Sequence, residues 1–96
     1  MQSQAIIQTA SAKRYLGQFC KHFAHKAPVE LDPALASGQV RFGAGICSLY
    51  ADEAALTLKV EGEAPDLITT LQDVVARHLI RFAFREDLTL AWQTPG

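Results

Sequence analysis

Seven consecutive residues, Cys20-Lys21-His22-Phe23-Ala24-His25-Lys26, hold one of the two cysteines, two of the three histidines and two of the four lysines. Imidazole and thiolate bind metals. Imidazole also accepts and gives protons near neutral pH, and lysine and arginine hold anions. A second group follows far along the chain, where His78 stands among Arg77, Arg81 and Arg85 with no acid between them. The leading candidate site is therefore a cationic one for an anionic small molecule, built from Lys21, His22, His25, Lys26, His78, Arg81 and Arg85. The alternative is a metal site drawn from Cys20, Cys47, His22 and His78.

Each candidate has a plainer explanation. Cations in the last turn of a helix are favoured by its dipole at about 0.3–1 kcal/mol each, with no ligand required. His78 falls in the apolar stripe of its helix, so it is expected to face the sheet, as a base or ligand or as a core imidazole with a backbone partner. His22 lies at the flank of its stripe, with Tyr15 as its expected packing partner, and His25 points nearly opposite. The spacing has no C-x-x-C and no H-x-x-x-H, so it matches no standard zinc pattern. Cys20 and His22 project about 200° apart on a helix and do not chelate together while it is intact. A Cys47–His78 nucleophile–base pair is a further option, although a buried inert thiol is the commoner state of cysteine. Gly43-Ala44-Gly45 leads into a strand rather than a helix and is no phosphate loop. No hydrolase or metalloprotease motif is present. The balance leans away from an enzyme, and the sequence does not indicate which cofactor, if any, is used.

The elements that must position these groups read clearly. Residues 4–8 are a first strand. From 11 to 26, Ala12, Leu16, Phe19, Cys20, Phe23 and Ala27 recur at helical steps, and Pro28 ends the helix. Val29-Glu30-Leu31 is a short extended piece. Asp32-Pro33 and Ser37-Gly38 mark a loop. Period two then takes over: Val40 and Phe42, the turn Gly43–Gly45, residues 46–51, the turn Asp52-Glu53-Ala54, and the alternation of Leu56, Leu58 and Val60. Pro65 and Asp66 open a second helix. Its stripe is Leu67, Leu71, Val74, Val75, His78, Leu79 and Phe82. Leu88, Leu90 and Trp92 alternate in a last strand.

The expected fold is therefore α+β: a two-layer sandwich with a mainly antiparallel sheet of five or six strands and two helices on one face. Strand order does not follow. Free edge strands and the outer sheet face leave a homodimer open.

The totals narrow the class. Ninety-six residues make one domain, 1–96. An apolar fraction of 49%, a net charge of −1 and a mean hydropathy of +0.07 suit a compact soluble protein. They argue against a nonspecific nucleic-acid binder. The charge is unevenly placed, since residues 1–29 carry Lys13, Arg14, Lys21 and Lys26 without one acid. No stretch is long enough to span a membrane. Two cysteines without a leader segment suggest reduced thiols and a cytoplasmic location.

The motif from Cys20 to Lys26, the Pro28-Val29-Glu30 segment, the hairpin at Gly45-Ile46-Cys47, the stretch from Val74 to Glu86 and the ending Leu90-Ala91-Trp92 together resemble a bacterial family. It is the one known as domain of unknown function 2218, and the likeness runs from about Ala10 to Trp92. The resemblance implies a compact cytoplasmic protein without an assigned activity. It further implies an association with flavin-dependent siderophore-interacting proteins, hence with iron handling. A siderophore-related protein, or a carboxylate- or catecholate-bearing iron chelate, is the partner so implied, with docking on a reductase as a third reading. The residues matching the motifs are Cys20, Lys21, His22, Phe23, His25, Lys26, Cys47, His78, Arg81, Phe82, Phe84 and Arg85.

Overall fold

The computed structural model describes residues 1–83 and 86–94. Its elements follow in the order β1 (Gln2–Gln8), α1 (Ala12–Phe23), β2 (Val29–Asp32), β3 (Ser37–Phe42), β4 (Gly45–Ala51), β5 (Ala55–Glu61) and α2 (Pro65–Phe82). The five strands form one antiparallel sheet in the order β1-β5-β4-β3-β2. Strands β2 to β5 run as a meander of hairpins. Helix α1 carries the chain from β1 at one edge to β2 at the other. The fold is the expected α+β sandwich.

Strand alternation decides which face is covered. Ala5, Ile7, Val40, Cys47, Leu49, Leu56, Leu58 and Val60 are buried, and the register aligns them on one face. Against it lie Leu16, Phe19, Cys20 and Phe23 of α1 and Ile68, Leu71, Val75 and Leu79 of α2, in one continuous core. At about 25 cal/mol per Å² of apolar area, this shared face supplies most of the driving force for folding. The opposite sheet face is open, with Ile6 and Tyr50 each about half exposed.

Three expectations need correction. Helix α1 ends at Phe23, not at residue 26; the N–H groups of Lys26 and Ala27 both donate to the Phe23 carbonyl, closing a turn. Ahead of Pro28 the chain must already leave the helix to pair with β3. His25 and Lys26 therefore stand beyond the helix. Second, Ser37 and Gly38 are no loop but the first residues of β3. Glycine there signals a close approach instead of a turn: a Cβ on Gly38 would lie 2.6 Å from the Cys20 Sγ. Third, the segment with Leu88, Leu90 and Trp92 is not a strand. It touches the sheet through one bridge, in which Gln4 and Gln93 exchange backbone hydrogen bonds of 2.8 and 2.7 Å. What holds it is packing, since Leu88, Leu90 and Trp92 rest half-buried on the core.

Its beginning is also clasped. The Thr9 and Tyr15 hydroxyls both donate to the Glu86 carboxylate. Both donors are buried, at 6% exposure each, so this acceptor satisfies two groups that would be costly to leave unpaired. The β3–β4 hairpin closes through Gly43 and Ala44. Gly43 has a φ of 60°, the left-handed backbone that glycine adopts without steric cost at the first central position of a two-residue turn.

Candidate functional site

The C-terminal ends of α1 and α2 meet. His22 and His78 pack ring against ring, with centroids 5.0 Å apart. Both lie on Phe23, whose ring is 4.9 Å from His22 and 4.7 Å from His78. Phe82 closes one side at 5.6 Å from His22, and Phe42 of β3 supports Phe23 from beneath at 5.0 Å. Local sequence sets where each ring sits on its helix, and the shared sheet brings the two together. His22 flanks the α1 stripe next to Phe23, and His78 stands one turn before Phe82 on α2, so each imidazole is carried at the border between core and solvent.

His78 holds its tautomer by a hydrogen bond. Its Nδ1 lies 2.7 Å from the Val74 carbonyl, one turn back on α2. A carbonyl only accepts, so Nδ1 carries the proton and the lone pair of the neutral ring sits on Nε2. His22 is different, for its Nε2 is buried without any partner. Burial lowers the His22 pKa first. The charges of Lys26, His78, Arg81 and His25 then lower it further. Every charged group acting on this ring is a cation.

The other expected residues divide. Lys21, His25, Lys26 and Arg81 are exposed. Lys26 and Arg81 stand close enough to act on His22. Arg77 turns to the Asp73 carboxylate at 3.0 Å along its own helix. Among the described residues Arg81 has no such partner. Arg77, His78 and Arg81 line a shallow depression of roughly 110 Å³. Arg85, the last of the expected set, and Phe84 lie outside the described residues. Two expectations shift here. His78 does not sit beneath the helix against the sheet but half-buried on its flank, facing His22; and His22 packs on Phe23, His78 and Phe82, where Tyr15 had been expected.

The metal set does not assemble. Among the described residues no group of three or more histidines, cysteines or acids is placed to hold an ion. The four candidates split into a histidine pair and a cysteine pair. Cys20 and Cys47 are free and buried. Burial, with Cys20 beside it, pushes the Cys47 thiol up to about 12, and burial raises Cys20 too. Cys47 is fully buried, and among the described residues no hydrogen bond joins it to His78, whose Nδ1 is held by the Val74 carbonyl, so the two are not arranged as a nucleophile–base pair. Accordingly, Cys47 in the native protein is expected to react with a disulfide reagent such as Ellman's no faster than the protein unfolds. A fast stoichiometric reaction of Cys47 before unfolding would contradict its placement.

Phe42 and Arg77 complete the surroundings. The strand alternation placed Phe42 on the inner face with Val40, but only the sheet order brings it under Phe23.

A five-stranded antiparallel sheet covered on one face by two helices, with a histidine pair at the helix junction, defines a small α+β module. The chain belongs to the family described as "Uncharacterized protein conserved in bacteria (DUF2218)", whose model matches residues 4–93. It is similar to PA4090 from Pseudomonas aeruginosa, known from an NMR structure. The two share 38% identity and a TM-score of 0.81, over 96% of this chain and 94% of that one. No curated protein matches the chain. No helix among the described residues is long and apolar enough to cross a membrane.

Proposed function

We propose that this chain is a small binding module that holds an anionic small molecule where the ends of α1 and α2 meet. One observation carries the reading: Lys26 and Arg81 both act on His22 of the His22–His78 pair, and no carboxylate among the described residues pairs with either cation. Dipole compensation accounts for one cation at each helix end. It does not account for two imidazoles pressed together with a ring nitrogen left unsatisfied. A bound oxyanion supplies acceptors for Arg81 and Lys26 and neutralises the cluster.

The depression at Arg77, His78 and Arg81 is lined by α2 alone, with Lys26 outside its lining, and it admits a single carboxylate, phosphate or sulfate group, not a large ligand. A larger anion would seat one such group there and leave the rest in solvent. An iron chelate bearing carboxylates or catecholates belongs to this class, and that choice rests on the family resemblance alone.

The test is an NMR titration with inorganic sulfate and, separately, ferric citrate. Shifts are expected to centre on His22, Lys26, His78 and Arg81. Arg81→Met and Lys26→Met are each expected to weaken binding about tenfold, the effect of losing one charge-assisted contact. Shifts scattered over the surface, or binding untouched by either variant, would remove the proposal. Ferric citrate binding no tighter than sulfate would remove the iron-chelate choice.

A further inference from the structure

We propose that the site captures its anion together with one proton, taken up by the His22–His78 pair. This inference rests on the anion-binding reading above. Its basis is geometric. The rings are 5.0 Å apart and share Phe23 as a floor, so a charge on one is felt directly by the other. His78 has committed Nδ1 to Val74, and its Nε2 holds the available lone pair. His22 has an unpartnered, buried Nε2. Each ring thus keeps one nitrogen with no protein partner to share a proton.

The groups facing His22 are Lys26 and His25 from the turn after α1 and His78 and Arg81 from α2, while β3 offers only the Phe42 ring beneath Phe23. Beside His78 on α2 stands Arg77, paired with the Asp73 carboxylate. Without an anion, the cations facing His22 oppose a further positive charge on it. An anion at Arg81 and Lys26 reverses the sign of the local field, and a proton on the pair is then favoured, with His78, which lines the depression, beside the anion. The two rings are too close for both to charge freely, so the pair takes up a single proton, which comes from solvent.

The sign of the linkage follows. Binding raises the proton affinity of the pair, so the bound state holds more protons than the free one. Affinity must then rise as pH falls through the histidine range and be lost as pH climbs above it. Where linkage is complete, one proton gives about tenfold in Kd per pH unit.

Sulfate is the suitable probe because its charge stays constant over this range. Calorimetry in two buffers of different ionisation enthalpy is expected to show uptake of about one proton per sulfate near pH 6.5. Kd should tighten roughly tenfold between about pH 7.5 and pH 6. In the wild-type protein, NMR titration of the ring protons should show sulfate raising the pKa of His22, His78 or both. His22→Gln and His78→Gln, singly and together, should flatten the pH dependence yet retain weak binding through Lys26 and Arg81. Sulfate binding with no proton uptake, or with a pH dependence that survives the double variant, would overturn this inference and leave the anion site standing. Absence of sulfate binding at every pH would overturn both.

Discussion

Replacing Phe23 with alanine is expected to cost about 3–5 kcal/mol of stability and to erase the contact between His22 and His78. Phe23 is 5% exposed, and its ring meets Phe19 at 4.8 Å and Phe42 at 5.0 Å in addition to both histidines. Truncation removes a buried aromatic and leaves a cavity bounded by α1, α2 and β3, elements that cannot all close in at once. A domain of this size has about 5–15 kcal/mol in total, so the loss is a large share of it. Urea unfolding measures the first effect, and ring-proton chemical shifts of the two histidines measure the second. Phe19→Ala serves as the control, for it should cost a similar amount while leaving the histidine pair in place. Phe23→Leu, which keeps much of the volume, should cost far less than Phe23→Ala. A loss below 1 kcal/mol in Phe23→Ala would mean that the cluster is not packed as described.

The same residues show how far local pattern reaches. Ala12, Leu16, Phe19, Cys20 and Phe23 repeat at helical spacing, and all five are buried. Leu56, Leu58 and Val60 alternate, and all three are buried in β5. Those signals are legible because a half-covered element must place its apolar residues at the period of its own geometry. Two kinds of feature were not legible. Strand order is one: nothing local to β1 says that it pairs with β5 rather than β2, because the choice depends on α1 crossing the sheet. The histidine contact is the other. Spacing marked His22 as a border residue of α1 but set His78 within the apolar stripe of α2, and their meeting depends on how those helices lie on a common sheet. The pattern after α2 misleads for a related reason. Leu88, Leu90 and Trp92 alternate as a strand would, but the alternation records packing on the core and not a ladder of hydrogen bonds.

Gly38 resembles a turn residue in sequence but lies in β3 against Cys20. Gly38→Ala is expected to destabilise the protein by about 1–3 kcal/mol, the usual cost of overpacking a filled core. Alanine suits a strand better than glycine by roughly 0.5–1 kcal/mol, so intrinsic preference alone points the other way. Packing wins because the new Cβ would stand 2.6 Å from the Cys20 Sγ, with the Glu30 carbonyl oxygen at 3.5 Å and Leu31 Cδ1 at 3.6 Å. Cys20 is 1% exposed and sits beside Cys47, so its sulfur has little room to rotate away. Relief must come from α1 rising off β3. His22 and Phe23 follow Cys20 on that helix, so the movement should pull His22 from His78 and weaken sulfate binding, although no altered atom touches the site. Cys20→Ala removes the sulfur and should restore much of the loss. The double variant is thus expected to be about 1 kcal/mol or more stabler than the sum of the single changes predicts, the coupling that neighbours in contact show. Strict additivity, read from the midpoints of urea unfolding for the four proteins of the cycle, would place the cost of Gly38→Ala elsewhere than at Cys20. Recovery of stability together with sulfate affinity would tie the seating of α1 on the sheet to the geometry of the histidine pair.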